Sequence, residues 1–294
     1  IAVGCARLGV DASLLTGVGD DKVGSFILNF LENEGVNTHC IPTIKGTRSS
    51  AVVLGIEPPD KFPLVYYRDN AADSQITIDD VIKAKINDYK IVLLNGTALN
   101  IEPTRSATFF AAEVADKNDI DVVLDLDFRA DQWHDYRAFG LTIRALLPKV
   151  KIAIGTEEEI LAATMSSTSQ VTIKDQQISA PEIKGDIDSS IEQLLALGIE
   201  TLIVKRGSAG ASIHYPDGSK KDVPGFPVEI LNVLGAGDAF ASGFLYGILQ
   251  DWDLYKSCRM GNASGAQVVT KKGCANFMPY LNESMSFINE RGGF

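Results

Sequence analysis

The stretch Leu234-Gly235-Ala236-Gly237-Asp238-Ala239-Phe240-Ala241-Ser242-Gly243 sets a glycine-rich turn and one carboxylate at the mouth of an apolar run. Glycines at 235 and 237 can reach backbone angles closed to other residues, so successive amides can converge on one point. A helix starting there adds the positive end of its dipole. Together these make an anion site, with phosphate as the obvious occupant. Asp238, at the same helix start, would repel a bound phosphate unless it faced a third group, such as a hydroxyl whose proton it accepts during phosphoryl transfer. Taken alone, the same residues also suit glycines that permit close packing and an aspartate that caps a helix.

No other segment offers a better phosphate loop. Gly17-Val18-Gly19-Asp20-Asp21-Lys22-Val23-Gly24 departs from the G-x-G-x-x-G spacing and would turn Asp20 and Asp21 towards a pyrophosphate, which excludes it as a dinucleotide site. A Walker G-x-x-x-x-G-K-[ST] is absent. Cys5, Cys40, Cys258 and Cys274 form no C-x-x-C pair, and His39, His134 and His214 are scattered, so neither zinc nor a disulfide framework is indicated. A reducing cytoplasm is the expected setting. The net charge of −11 argues against a nucleic-acid partner. No apolar stretch is long enough to span a membrane, and the start does not resemble a signal peptide.

The elements that must position the turn follow from periodicity. Apolar runs at Ile91 to Leu94, Val122 to Leu126, Ile152 to Ile154 and Leu202 to Val204 predict strands, while Pro103 to Lys117 and Ile187 to Leu197 carry helical spacing. That alternation predicts an α/β fold with a mostly parallel central sheet covered on both faces. Tyr215-Pro216-Asp217-Gly218-Ser219 predicts an antiparallel hairpin turn, and two apolar helices follow, one after Asp238 and one from Leu254 to about Val269. At about 38–72, the short runs Ile41 to Ile44, Ser50 to Ile56 and Phe62 to Tyr67 predict a small antiparallel sheet inserted as a β lid over a substrate, with a dimerisation flap as a second use.

Several segments, in order, resemble the ribokinase-like (PfkB) sugar kinases. These are Ala2 to Gly9, Thr16 to Gly24, Asp125-Leu126-Asp127-Phe128-Arg129 with Asp127 where the family has Asn, Lys205-Arg206-Gly207-Ser208-Ala209-Gly210, and the Gly235-Ala236-Gly237-Asp238 turn. The resemblance implies one ribokinase-like three-layer sandwich over 1–294, an ATP-dependent kinase using Mg2+. It implies Asp238 as catalytic base, with Gly235, Ala236 and Gly237 as the anion hole. Lys205, Gly207, Gly210, Asn262 and Gly273 would border the nucleotide, and Glu158, from Gly155-Thr156-Glu157-Glu158, would help organise magnesium. Asn232-Val233-Leu234 replaces a family Asp-Thr-x, so potassium activation is not expected. A first strand, a substrate-binding aspartate and a Gly-Gly hinge would be expected ahead of Ile1.

Two arginines point to an acidic sugar. Arg129 ends a predicted strand, where open sheets bind ligands, and Arg68 follows Tyr66 and Tyr67 at the end of the lid. A guanidinium can grip a carboxylate through two parallel hydrogen bonds, and the tyrosines add a hydroxyl and an apolar wall. Alternatively, Arg129 pairs with Asp125 or Asp127, and Arg68 is a solvated lid charge. Within the family, Tyr66 to Asp73 and Asp125 to Arg129 resemble the keto-sugar-acid kinases, which implies a keto-deoxy sugar acid and ATP as partners. Homo-oligomer formation through the lid is a further expectation. An NAD-dependent dehydrogenase and a non-catalytic sugar-acid binder are the competing readings.

Overall fold

The computed structural model describes residues 1–55, 64–173 and 181–294. In chain order, α1 (Ala2–Arg7), β1 (Val18–Gly19), α2 (Lys22–Asn33), β2 (Thr43–Ile44), β3 (Ala51–Leu54) and β4 (Leu64–Tyr67) lead into α3 (Ile78–Ala84). The body follows as β5 (Ile91–Asn95), α4 (Thr104–Lys117), β6 (Asp121–Asp125), α5 (Tyr136–Leu146), β7 (Ile152–Thr156) and α6 (Glu157–Thr164). A small pair, β8 (Val171–Thr172) and β9 (Glu182–Ile183), precedes α7 (Ile187–Leu195), β10 (Thr201–Lys205), β11 (Ala211–His214) and β12 (Lys220–Val223). The helices α8 (Ala236–Leu249), α9 (Leu254–Val268) and α10 (Leu281–Asn289) close the chain.

One six-stranded sheet, in the order β12-β11-β10-β7-β6-β5, forms the middle layer. β5, β6, β7 and β10 run parallel, and β11 and β12 add an antiparallel edge. Side chains alternate between two buried faces, as a doubly covered sheet requires. Val122, Leu124, Ala153, Leu202 and Val204 pack with residues of α4 to α7, whereas Val123, Ile152, Ile154 and Ile203 pack with Phe240 and Phe244 of α8. The predicted strands and helices therefore stand, with ends moved by a residue or two.

Register puts the polar strand ends at one edge of this sheet. Asn95 pairs with Asp125 across β5 and β6, and Thr156 pairs with Lys205 across β7 and β10. Beyond β6, Phe128 is fully buried against Phe139 at 4.7 Å, with Trp133 edge-to-face with Phe139 at 5.5 Å. That aromatic nest anchors the loop whose neighbouring residues, Asp127 and Arg129, carry charge.

The segment expected as a lid departs from expectation in one respect. Among the described residues only β3 and β4 pair as its antiparallel strands, Ala51 opposite Tyr67 and Leu54 opposite Leu64. The run at Ile41 to Ile44 yields β2, which pairs parallel with β1. Ile41 is buried with Val18 and Leu31, so burial ties that run to the body and withholds it from the lid. The Pro58-Pro59-Asp60 turn and Phe62 lie outside the described residues. At the lid's root, Asp21 caps α2 through Gly24 N–H (2.7 Å) and accepts from Ser49 N–H (2.8 Å), while a Cβ at Gly24 would fall 2.3 Å from Gly19 O. The glycines of the 17–24 segment thus serve close backbone packing.

Candidate active site

Gly235 opens α8 in the left-handed region (φ 86°), with the Cys274 side chain so close that a Cβ at 235 would fall 2.6 Å from it. Glycine is required there on both counts. The N–H of Ala236 donates to Val233 O at 3.3 Å, and Ala239 N–H to Gly235 O at 2.9 Å. Among the described residues, the amides of Gly237 and Asp238, in the first turn of a fourteen-residue helix, have no carbonyl partner. Gly237 and Asp238 are therefore the better-placed donors, and Ala236 is partly committed to its own turn. Upstream, Asn232 is buried and its Oδ1 accepts from Leu234 N–H at 3.0 Å, which fixes the approach to the turn.

Beneath the turn lies a cluster of buried charges. Lys205 Nζ is 3.2 Å from Asp125 Oδ1 and 3.5 Å from Glu159 Oε2, and a Cβ at Gly237 would sit 3.4 Å from it. Burial pushes the Asp125 carboxyl up, to about 7, against the pull of Lys205, and burial likewise raises Asp127 against Arg129. Lys205 loses hydration too, yet the facing Asp125 and Glu159 carboxylates hold its ammonium in the charged form. Asp238 is half exposed and its charge is felt at both Asp125 and Asp127, so it belongs to the same field.

The other side of the cluster is built from the root of the β3–β4 hairpin and the end of β6. Arg129 Nη2 lies 2.5 Å from Asp127 Oδ1, and its guanidinium also hydrogen-bonds Tyr66 of β4. Arg68 is largely buried; its Nε donates to Asp73 at 2.6 Å and its Nη1 to Gln132 Oε1 (2.7 Å) and Thr97 O (3.1 Å). It is not a solvated charge: it ties the root of the β3–β4 hairpin to the loops after β5 and β6.

The remaining predicted residues fall around the turn in two groups. Gly210 (φ 93°) lets residues 223–225 close onto it, since a Cβ there would lie 2.2 Å from Val223 O. Asn262 holds that same loop, donating to Val223 O (3.3 Å) and Pro224 O (3.0 Å). Gly207 faces open space, and Gly273 packs under Phe277 beside Cys274. Glu158 is exposed and stands outside the charge cluster, whereas Glu159 turns inward. Glu159 is the residue missed from sequence. Its signal was Thr156-x-x-Glu159, a capping box whose Thr156 Oγ1 accepts from Glu159 N–H at 3.2 Å while Oε2 accepts from Thr156 N–H at 2.7 Å.

A three-layer α/β body with a glycine-led helix start, an inserted β-hairpin and a charged strand edge is the architecture of a small-molecule phosphotransferase. Residues 1–281 match the model of the pfkB family carbohydrate kinases, and the chain belongs to that family. It is 32% identical over 292 residues to the 5-dehydro-2-deoxygluconokinase of Clostridium tetani (strain Massachusetts / E88), covering 99% of this chain and 82% of that one. Among solved structures it resembles a fructokinase with bound ATP from Xylella fastidiosa (TM-score 0.85, 23% identity, 99% of this chain and 88% of that one). It also resembles an aminoimidazole riboside kinase from Salmonella enterica, complexed with aminoimidazole riboside and an ATP analog (TM-score 0.80, 22% identity, 97% and 89%). The protein is an ATP-dependent sugar kinase with the ribokinase-like fold. Among the described residues, no helix is long and apolar enough to cross a membrane.

Proposed function

We propose that this kinase phosphorylates the terminal hydroxyl of a keto-deoxy sugar acid, 5-dehydro-2-deoxygluconate of inositol catabolism in the first place and 2-keto-3-deoxygluconate in the second. The observation that carries this reading is the placement of Asp238 at the head of α8, beside amides that have no carbonyl partner among the described residues, and within the electrostatic reach of Arg129 at the edge of the sheet. Asp238 accepts the proton of the sugar hydroxyl as that oxygen attacks the γ-phosphorus of ATP, the bond from that phosphorus to the β,γ-bridging oxygen breaks, and ADP leaves. The Gly237 and Asp238 amides, with Gly235 shaping the turn, stabilise the charge gathering on the transferred group. Lys205, Gly207, Gly210, Asn262 and Gly273 form the nucleotide side, Gly210 and Asn262 by setting the 223–225 loop. Tyr66 and Arg129 face the sugar acid, and Arg68 holds the lid that carries Tyr66.

Carboxylate oxygens near the turn suit magnesium, a hard cation. Among the described residues no three metal-ligating side chains converge, so the ion would rest mainly on phosphate oxygens and water, with Glu159 rather than Glu158 placed to hold that water. When bound, magnesium supplies neutralisation of phosphate charge. One lidded kinase domain in the cytoplasm, paired through its lid, completes the proposal. The 32% identity to a 5-dehydro-2-deoxygluconokinase supports the choice of acid. The test is ADP release from ATP with a panel of keto-deoxy sugar acids and neutral sugars. The highest kcat/KM should fall on 5-dehydro-2-deoxygluconate; a higher value on a neutral sugar overturns the reading.

A further inference from the structure

Arg129 and Asp127 stand two residues apart on the loop beyond β6, separated by the buried Phe128, and pair at 2.5 Å. Asp127 occupies the left-handed region (φ 36°), where a residue with a side chain stays only when its surroundings hold it. What holds it is the aromatic nest under Phe128 and the Arg129 pair above. Arg129 keeps 24% and Asp127 17% of its side-chain surface open, so a small molecule can reach the pair. Asp131, Glu159 and Asp238 also act on Arg129 or Asp127, and Lys205 acts on Asp127. Carboxylates therefore outnumber cations around this guanidinium before any substrate arrives.

We propose that Asp127 sets the acid preference of the sugar pocket by occupying Arg129 in competition with the carboxylate of the substrate. The inference rests on the reading of the pocket as a sugar site and deepens it. A neutral sugar leaves the Asp127–Arg129 pair intact, whereas an acid must displace Asp127 from the guanidinium or bind beside it against like-charge repulsion. Asp127 acts through Arg129 and is a positioning residue: it restrains an acid-binding group that would otherwise grip any carboxylate.

Asp127→Asn keeps the side-chain shape, tolerates the left-handed backbone and removes the competing charge. The experiment measures kcat and KM separately for a keto-deoxy sugar acid, for its analogue with an alcohol in place of the carboxylate, and for ATP. Wild type, Asp127→Asn, Asp127→Ser and Asp127→Asn combined with Arg129→Met are compared, each checked by thermal unfolding. Both single variants should lower KM for the acid about tenfold or more relative to the alcohol, leave KM for ATP within about twofold, and lose this gain when Arg129 is Met. Equal shifts on acid and alcohol, a rise in KM for the acid, or a gain that survives Arg129→Met overturns the inference. The wild-type arm tests the substrate reading separately. If wild type prefers the alcohol and the variants move the preference to the acid, the acid assignment falls while the role of Asp127 stands.

Discussion

At the scale of single residues, Asp238 has two possible uses, base or helix cap, and the helix start bears on the second. Among the described residues the N-cap, Gly235, has no side-chain cap bond, and the N–H groups of Gly237 and Asp238 donate to no carbonyl. Asp238→Asn preserves shape and amides but removes the base. It should cut kcat by ~10²- to 10⁴-fold and leave KM for ATP nearly unchanged. Ordinary turnover in that variant would return Asp238 to a structural role. The cysteines give a second residue-scale expectation. Cys5 and Cys258 are buried and their thiols are held protonated by desolvation, Cys5 pushed up to about 11, whereas Cys40 and Cys274 are partly exposed. Iodoacetamide at pH 8 should therefore label Cys40 and Cys274 in the native protein, and all four only after unfolding in urea, as read by intact mass.

Elements explain why the site residues meet. The turn after β10 and the loop after β12 touch at Gly210, where both the positive φ and the 2.2 Å approach to Val223 O demand glycine. At Gly207 the φ of 55° is the sole restriction, because the space around it is open. Gly207→Ala should cost about 1 kcal/mol, the usual cost of a left-handed residue with a side chain. Gly210→Ala must in addition push the 223–225 loop away, and should cost on the order of 3 kcal/mol while raising KM for ATP. Urea unfolding together with ATP titration checks both; equal losses at the two positions would mean that the loop contact carries no strain. The capping box at the start of α6 works similarly at an element end. Thr156→Ala removes the cap for Glu159 N–H and should cost about 1 kcal/mol in urea unfolding, while the backbone N–H of residue 156 still holds the Glu159 carboxylate that faces Lys205.

For the molecule as a whole, the buried cluster couples stability to pH. Burial raises the folded-state value of Asp125 from its ordinary 3.8 to about 7. Between those values the folded protein holds a proton that the unfolded chain has released, so this group's contribution to stability falls as pH rises through the window. The slope is at most about 1.4 kcal/mol per pH unit for one proton. Asp125→Asn should flatten the profile of urea midpoints between pH 5 and 7. An unchanged slope in that variant would place the proton elsewhere in the cluster.

The amino-acid order by itself determined the layers and the turn. The near-continuous apolar run from Val122 to Leu126, broken only by Asp125, suits a strand buried on both faces, and Gly235-Ala236-Gly237-Asp238 encodes its local conformation in the residue types themselves. Such features depend on neighbours within a few positions, so they were legible. Glu159 was half legible, since its capping pattern was present but nothing local shows that the same carboxylate faces Lys205, forty-six residues further along the chain. Partner choice among like residues was decided by the tertiary structure alone. Glu158 and Glu159 differ only in which side of α6 they occupy, and Ile41 joined the body instead of the lid because the core under α2 could bury it. The competing use of Arg129 was foreseen as a pair with Asp125 or Asp127, and only the register of β6, β7 and β10 settles it: Lys205 takes Asp125, which leaves Asp127 to Arg129. Charge pairing over such separations is set by which strand ends lie side by side, and that is a property of the assembled sheet.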